Sequence, residues 1–474
     1  SNMPIMSKNP FCACSTPVGI GGIAVIRISG DGCGKIIDKM TRIIRSADGV
    51  SSFSQMRGYT MALADFFDIE TNKVVDRVVL ARFEAPHSYT GQEMAEISCH
   101  GGNAVKQEIL RLLLSNGCDP AGPGEFTKTA FFNGKIDLSS AEAVMDVIAA
   151  DSQRALMAAN TQLNGRLNAK LASTEEQLYK ALAIIEMIVE FPEHDDTPEN
   201  DEEVLKLCNI ARGEIDSLCK SFGSGRMLSE RMRIALCGLP NSGKSSLLNC
   251  LSGYDRAIVT QVPGTTRDTL EVELSIEGIP VTLVDTAGIR KTSDEIEAMG
   301  VTRAKKAFED SDMVLYLVSP DTNLDSVIVQ LNELLLGKKA DRICILFSKC
   351  DSGKNSEEEE IKCACSKLGI RNFISVSAKD EINVDVVKEL VVRIFEQEGA
   401  FASQIILINA RHYEILKEAR ENLDMAIGAL NDGVGVDVAS SVIRLALDRI
   451  GQITGKTVSA ELVDTIFSKF CIGK

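Results

Sequence analysis

Gly238-Leu-Pro-Asn-Ser-Gly243-Lys244-Ser245 constrains this chain more than any other stretch. It follows an apolar run, Ile234 to Cys237, and opens an apolar-periodic segment that reads as a helix. A G-x-x-x-x-G-K-[ST] pattern between a strand and a helix is a phosphate-binding loop. Its glycines let backbone N–H groups turn toward an anion, and the helix N-terminus adds its positive end. Asn241, Ser242 and Gly243 would then line the phosphates, with Ser246 just inside the helix. Lys244 would reach the β- and γ-oxygens and act in catalysis, and the Ser245 hydroxyl is a natural Mg2+ ligand.

Three more motifs follow, each after an apolar strand. Asp285-Thr286-Ala287-Gly288 ends "VTLVD". The aspartate can steady Mg2+, and Gly288 can meet the γ-phosphate. Ser348-Lys349-Cys350-Asp351 ends "ICILF". Its carboxylate can accept both N–H donors of a guanine edge, which adenine does not offer. Ser377-Ala378-Lys379 would supply backbone to the same base. Between the first two motifs lies Thr260-Gln261-Val262-Pro263-Gly264-Thr265-Thr266-Arg267-Asp268, in which Thr265 or Thr266 can cap Mg2+ and carbonyls can serve a second cation. Ile289 follows Gly288 where a glutamine would position the attacking water, so that water needs another partner. Short apolar strands ending in polar loops imply a parallel sheet with helices on both faces over 231–397. Together the motifs resemble a Ras-like GTPase.

The flanking sequence has a different texture. Residues 3–122 alternate strand and helix signals: "GGIAVIRIS" (Gly21 to Ser29), "VVDRVVLARF" (Val74 to Phe83) and "EMAEISC" (Glu93 to Cys99) as strands, and Asn103 to Gly117 as a helix. This predicts an α+β domain. From Leu138, with Ser139 and Glu142 at capping-box spacing, an apolar-periodic run continues to about Val189. A further helix runs from Glu203 to Cys219, and "GSGR" (Gly223 to Arg226) reads as a hinge. Helices return over His412 to Leu430, Val436 to Gly451 and Ala460 to Phe470. The expected architecture is therefore multidomain: an α+β domain over 3–122, an α-helical bundle in two parts over 123–230 and 398–474, and a Ras-like α/β GTPase domain inserted at 231–397.

The formal charge of −16 gives no reason for the whole molecule to be drawn to nucleic acid. The acidic stretch "EFPEHDDTPENDEE" (Glu190 to Glu203) reads as a solvated loop. The 14 cysteines are scattered and read as reduced thiols of a cytoplasmic protein, and a membrane span is not expected.

Several quoted segments resemble the family of the tRNA modification GTPase MnmE, also called TrmE. They are "GGIAVIRISG", "APHSYTGQEMAEISCHGG", "GPGEFTKTAFFNGKIDLSSAEAV", "GLPNSGKSSLLN", "GTTRD", "DTAGIR...SDEIE" and the closing "FCIGK". The likeness covers essentially the whole chain. It implies K+ activation, with the ion held by Asn241 and, through the switch, by Thr260, Val262 and Thr265. It implies Mg2+ on Ser245 and Thr266, and a water oriented by Glu297. It implies an N-terminal domain that resembles tetrahydrofolate-binding domains, forms a constitutive homodimer and uses Arg27, Glu96, Lys135 and Lys474 for 5-formyl- or methylene-tetrahydrofolate. It also implies an FAD-dependent partner, GidA (MnmG), in a heterotetramer that modifies carbon 5 of the wobble uridine of certain tRNAs.

The chain departs from the family pattern at three places: Val18-Gly-Ile20-Gly-Gly for "PGRGG", Thr129 for an arginine, and Ser348 for an asparagine. The last two readings concern the tail, where Cys471 is either a packing cysteine or a functional thiol near the one-carbon unit. Rival readings are a ribosome-assembly GTPase, which predicts a basic RNA-binding appendage, and a folate-dependent aminomethyl transferase that turns over without a flavin partner.

Overall fold

The computed structural model describes residues 8–191, 198–254, 270–286, 306–335 and 340–474. The chain forms two compact units, Ser1–Met145 with Gly451–Lys474, and Asp146–Ile450.

In the first unit seven strands form one sheet: β1 (Phe11–Cys14), β2 (Ile23–Ser29), β3 (Thr41–Ser46), β4 (Thr60–Phe67), β5 (Val74–Phe83), β6 (Met94–His100) and β7 (Asp119–Pro120), in the order β3-β4-β5-β6-β2-β1-β7. All neighbours are antiparallel except β1 and β7. Strand alternation gives each face its own core. Ile26, Ile28 and Ile97 pack with α1 (Cys33–Met40) and α2 (Asn103–Ser115) on one side. Phe11, Ala13 and Met94 meet Phe126 of α3 (Glu125–Phe132) on the other. Arg27 stands between Ile26 and Ile28 and so turns to the α3 side, in register with Glu96.

The helix α4 (Leu138–Ala149) begins one residue before the expected cap. Asp137, not Ser139, caps it, accepting from the Ser140 N–H at 2.9 Å and from both serine hydroxyls. Residues 123–145 and 451–474, expected with the helical domain, pack in the first unit. The reason is a separate apolar cluster of Leu138, Ala141, Val463, Phe467 and Phe470, which joins the start of α4 to the C-terminal helix Ala460–Phe467.

In the second unit α5 (Gln153–Leu163), α6 (Arg166–Glu190) and α7 (Pro198–Glu230) pack on one another and α7 on Ala410–Asn431, while the helix Val436–Thr454 pairs Arg444 with Glu186 and Arg449 with Glu418. The described part of α7 runs from Pro198, with Glu199 and Asp201 within it. So the C-terminal part of the expected acidic loop is helix, while 192–197 lie outside the described residues. The expected hinge is also helix, since α7 runs unbroken through Gly223 to Arg226. A Cβ at Gly223 would sit 2.4 Å from the Glu398 carbonyl, and one at Gly225 1.8 Å from the Leu407 carbonyl. These glycines serve close backbone approach, not bending.

The Ras-like sheet comprises β8 (Met232–Gly238), β9 (Leu270–Ile276), β10 (Ile279–Asp285), β11 (Met313–Val318), β12 (Ile343–Phe347) and β13 (Asn372–Ser375), in the order β13-β12-β11-β8-β10-β9. Five strands are parallel and β9 is an antiparallel edge. Among the described residues no helix is long and apolar enough to cross a membrane.

Candidate functional site

The phosphate loop follows from β8, whose residues Ile234 to Cys237 are buried. Gly238 turns the chain at φ 144°, and a Cβ there would meet the Leu317 carbonyl at 2.6 Å. Asn241 and Gly243 take φ 62° and 98°, and the turn closes with Ser242 N–H donating to the Leu239 carbonyl at 3.2 Å. Lys244 opens α8 (Lys244–Tyr254) and is 5% exposed. Its ammonium donates to the Gly238 and Leu239 carbonyls, each at 2.8 Å. Burial lowers its pKa from the ordinary lysine range, and Asp285 opposes that shift. Phosphate oxygens would compete for the same ammonium donors. Ser245 and Ser246 are exposed in the first turn of α8. Asp285, 4% exposed, ends β10 opposite Leu236 of β8. Thr286 is fixed there, its Oγ1 donating to the Leu236 carbonyl at 2.8 Å. A hydroxyl in the first helical turn and a buried carboxylate one strand away are the oxygen donors that Mg2+ takes.

The base loop leaves β12 beside the phosphate loop. Ser348 is 6% exposed, its N–H donating to the Val318 carbonyl at 2.9 Å and its hydroxyl to the Ser242 carbonyl. Lys349, at φ 56°, donates from Nζ to the Asn241 carbonyl at 2.7 Å. Two side chains thus tie the base loop to the phosphate loop. Asp351 is exposed, and its Oδ1 accepts from the Ser377 hydroxyl at 2.6 Å. That bond holds the carboxyl below the usual aspartate range. Ser377 is set by paired main-chain bonds with Ile382, and Ala378 and Lys379 continue from it toward the surface. The phosphate loop, Asp285-Thr286, Ser348 to Asp351 and Ser377 to Lys379 therefore converge. Thr260, Gln261, Val262, Pro263, Gly264, Thr265, Thr266, Ala287, Gly288, Ile289 and Glu297 lie outside the described residues.

In the first unit the Arg27 guanidinium donates to Glu96 Oε1 at 2.9 and 3.1 Å. It lies 5.5 Å from the ring centres of both Tyr89 and Phe126. The tail brings Lys474 to this pair. Burial and the Arg27 charge lower the Lys474 pKa, while Glu96 and Cys471 oppose them. The tail is docked by main chain: Gly124 N–H donates to the Cys471 carbonyl at 3.3 Å, Phe126 N–H to the Lys474 carbonyl at 3.1 Å, and Ile472 bridges Pro123. The Ser15 hydroxyl donates to the Gly473 carbonyl at 3.0 Å. The Cys471 side chain is exposed. Lys135 donates to the Pro86 carbonyl at 2.9 Å, beside the loop that carries Tyr89. Thr129, where the family pattern has arginine, is buried with its hydroxyl on the Glu125 carbonyl at 2.7 Å.

Sequence reasoning missed the roles of Tyr89, Phe126 and Ser15. Tyr89 was within reach, since it lies in the "APHSYTGQ" segment. Ser15 carried no signal, because its role is to hold a backbone atom of the tail.

The chain is similar in sequence to known proteins. The chain matches the family models described as "GTP-binding protein TrmE N-terminus" over residues 10–135 and "MnmE helical domain" over 138–471. A protein of Caldicellulosiruptor saccharolyticus named tRNA modification GTPase MnmE is 40% identical over 470 residues, covering 99% of this chain and 100% of that protein. The protein of the same name from Lactobacillus acidophilus is 38% identical over 465 residues, covering 98% of each. That of Thermoanaerobacter sp. strain X514 is 36% identical over 470 residues, covering 99% of this chain and all of that protein.

Proposed function

Because this chain belongs to the MnmE family of tRNA modification GTPases, we propose that it is a K+-stimulated GTPase acting with an FAD-dependent partner, GidA (MnmG), at carbon 5 of the wobble uridine of certain tRNAs. It would work in the cytoplasm as a homodimer joined to that partner in a heterotetramer. The domain division at 3–122, 123–230, 231–397 and 398–474 is part of this reading, as segments of sequence, with 123–145 and 451–474 packed in the first compact unit.

The observation that carries the folate part is the position of Lys474 beside the Arg27–Glu96 pair. The two cations and the Glu96 carboxylate share a half-buried spot. The carboxylate can accept from a pterin edge, and the cations suit an anionic glutamate tail. A bound methylene- or 5-formyl-tetrahydrofolate would supply the one-carbon unit. Lys135 would serve the same ligand from the neighbouring loop, and Cys471, exposed at the tail, would act as a thiol on it.

In the nucleotide pocket Lys244 would offset the charge on the β- and γ-phosphates, and Ser245 with Thr266 would hold Mg2+. Asn241, exposed in the turn, would hold K+ with Thr260, Val262 and Thr265. Glu297 would orient the water that Ile289 cannot. Asp351 with Ser377, Ala378 and Lys379 would select guanine. GTP hydrolysis would drive opening and closing of the assembly, not the uridine chemistry.

The test is nucleoside analysis of tRNA from a strain lacking this protein. Loss of the modified wobble uridine is expected, and its persistence would refute the reading. Equal GTPase rates in K+ and Na+ would remove the ion from Asn241.

A further inference from the structure

The helix α7 ends at Glu230 and β8 begins at Met232, so a single residue joins the bundle to the strand that leads into the phosphate loop. That residue is Arg231, held at φ 70°. A side chain there is strained where glycine would not be. Such strain persists only where the surroundings enforce it, and here the side chain shows what enforces it. One Nη donates to the carbonyls of Leu274 in β9 and Val281 in β10, each at 2.8 Å. Nε donates to Thr282 Oγ1 at 3.2 Å, and the other Nη pairs with the Asp151 carboxylate just ahead of α5. One guanidinium therefore joins both strands of the β9–β10 hairpin to the helical segment. The same joint is closed from the other side by Asp312, which accepts from the Arg233 N–H at 2.8 Å and pairs with Arg226 of α7.

A second arginine grips the far end of the hairpin. Arg154, in α5, donates from its main-chain N–H to the Gly278 carbonyl and from Nε to the Glu277 carbonyl, both at 3.0 Å. Its guanidinium lies 5.5 Å from the Phe395 ring centre and 3.8 Å from Glu396.

The hairpin itself points to what this grip is for. β10 ends at Asp285 in the nucleotide pocket, and β9 starts at Leu270, two residues after the "GTTRD" stretch. Its ladder is continuous, from Asp285 opposite Leu270 to Ile279 opposite Ile276. Strands of seven residues span about 23 Å and do not stretch. A displacement at the pocket end therefore arrives at the turn, where α5 holds it, with no slack linker to absorb it.

We propose that Arg231 and Arg154 form a coupling clamp that carries the nucleotide state of the pocket through the β9–β10 hairpin into α5 and α7. The proposal rests on the nucleotide-driven cycling put forward above. It assigns the two arginines as positioning residues, touching neither nucleotide nor metal.

Hydrogen–deuterium exchange on the full-length protein, with GDP or with a non-hydrolysable GTP analogue, tests it. In the unsubstituted protein, peptides over 270–285 and over 151–163 should both change exchange rate with nucleotide. Arg231→Gly suits the backbone and removes the guanidinium, and combined with Arg154→Ala, which keeps only the main-chain bond to Gly278, it should leave the 270–285 response while at least halving that of 151–163. Asp151→Asn, a surface change, should give a partial loss if the double variant folds poorly. An undiminished 151–163 response in these variants would overturn the clamp. So would an unsubstituted protein whose hairpin responds while 151–163 does not. If neither peptide responded in the unsubstituted protein, the cycling premise itself would fail, and the clamp with it.

Discussion

The Ser348 hydroxyl donates to the main-chain carbonyl of Ser242, so the loop that faces the base is tied to the loop that cradles the phosphates. A hydroxyl is shorter than the asparagine amide of the family pattern, yet it reaches because Ser348 is buried against Val318. Ser348→Ala would leave the Ser242 carbonyl without this donor. Affinity for GTP and GDP should fall together by about tenfold, as for one lost buried hydrogen bond. Preference for guanine over adenine should not change, because the proposed reading gives it to Asp351. Titration with labelled GDP, GTP and ADP measures both, and a lost preference would contradict the division of labour.

Asp351 gives a pH signature. The Ser377 hydrogen bond favours the carboxylate, holding the group below its ordinary value of 3.8. The ionised form is therefore fully present above that value and is lost only as pH falls through the lower, folded one. Guanine affinity should stay flat from neutrality down to about pH 5, as far as this group controls it. A midpoint of loss above the ordinary aspartate value, in a fluorescence titration series, would place base recognition elsewhere. Asp351→Asn would offer a donor to a guanine edge that presents two donors. A loss of about 10- to 100-fold is expected, in line with a charge-assisted hydrogen bond, with gain for xanthine nucleotides, whose C2 carbonyl accepts.

Two glycines of one helix should respond to alanine with opposite sign. Alanine is better than glycine in a helix by about 1 kcal/mol where nothing intervenes. A Cβ at Gly213 meets nothing within 4 Å, so Gly213→Ala should stabilise by about 0.5–1 kcal/mol. At Gly225 the same Cβ would lie 1.8 Å from the Leu407 carbonyl, a backbone atom that cannot swing away. Gly225→Ala should destabilise by about 1–3 kcal/mol or more, as overpacking does. Thermal unfolding of the two variants decides it. If both stabilised, the helix would not be held against residues 406–408 as described.

That pair also shows where sequence reasoning stops. "GSGR" reads as a hinge because glycine is a local breaker, but the neighbours that require its small size, Glu398 and Leu407, are far along the chain. The buried strands β8, β10, β11 and β12 were readable as apolar runs. β9 was not, since Glu271, Glu273 and Ser275 alternate along an edge strand. Motif spacing singled out Lys244, Asp285, Asp351 and Ser377 for proposed roles, because a phosphate and a base would demand those groups locally. The bond from Ser348 to the phosphate loop and the grip of Arg231 on two strands are long-range, and no spacing encodes them. The tail lies between these cases. The resemblance named Lys474, but the main-chain bonds that dock it have no side-chain signature.

Gly473 makes that docking testable. It takes φ 97°, and a Cβ would lie 2.7 Å from Ser15 Cα and 2.9 Å from the Cys14 carbonyl. Both are backbone atoms, so Gly473→Ala must lift the tail. The bonds from Ser15 to the Gly473 carbonyl and from Phe126 to the Lys474 carbonyl would go, and Lys474 would leave Arg27 and Glu96. On the folate reading, affinity for 5-formyl-tetrahydrofolate should then fall about tenfold, as much as in Lys474→Ala. GTP affinity should not change, because its residues lie in the other compact unit. Cys471→Ser should keep the ligand bound, since Cys471 docks through its carbonyl and its side chain is exposed. Calorimetry on the three variants separates the two roles of the tail. If Gly473→Ala bound the folate as tightly as the unsubstituted protein, Lys474 would have no part in the pocket. If Cys471→Ser bound folate but left tRNA unmodified, the thiol would belong to the chemistry.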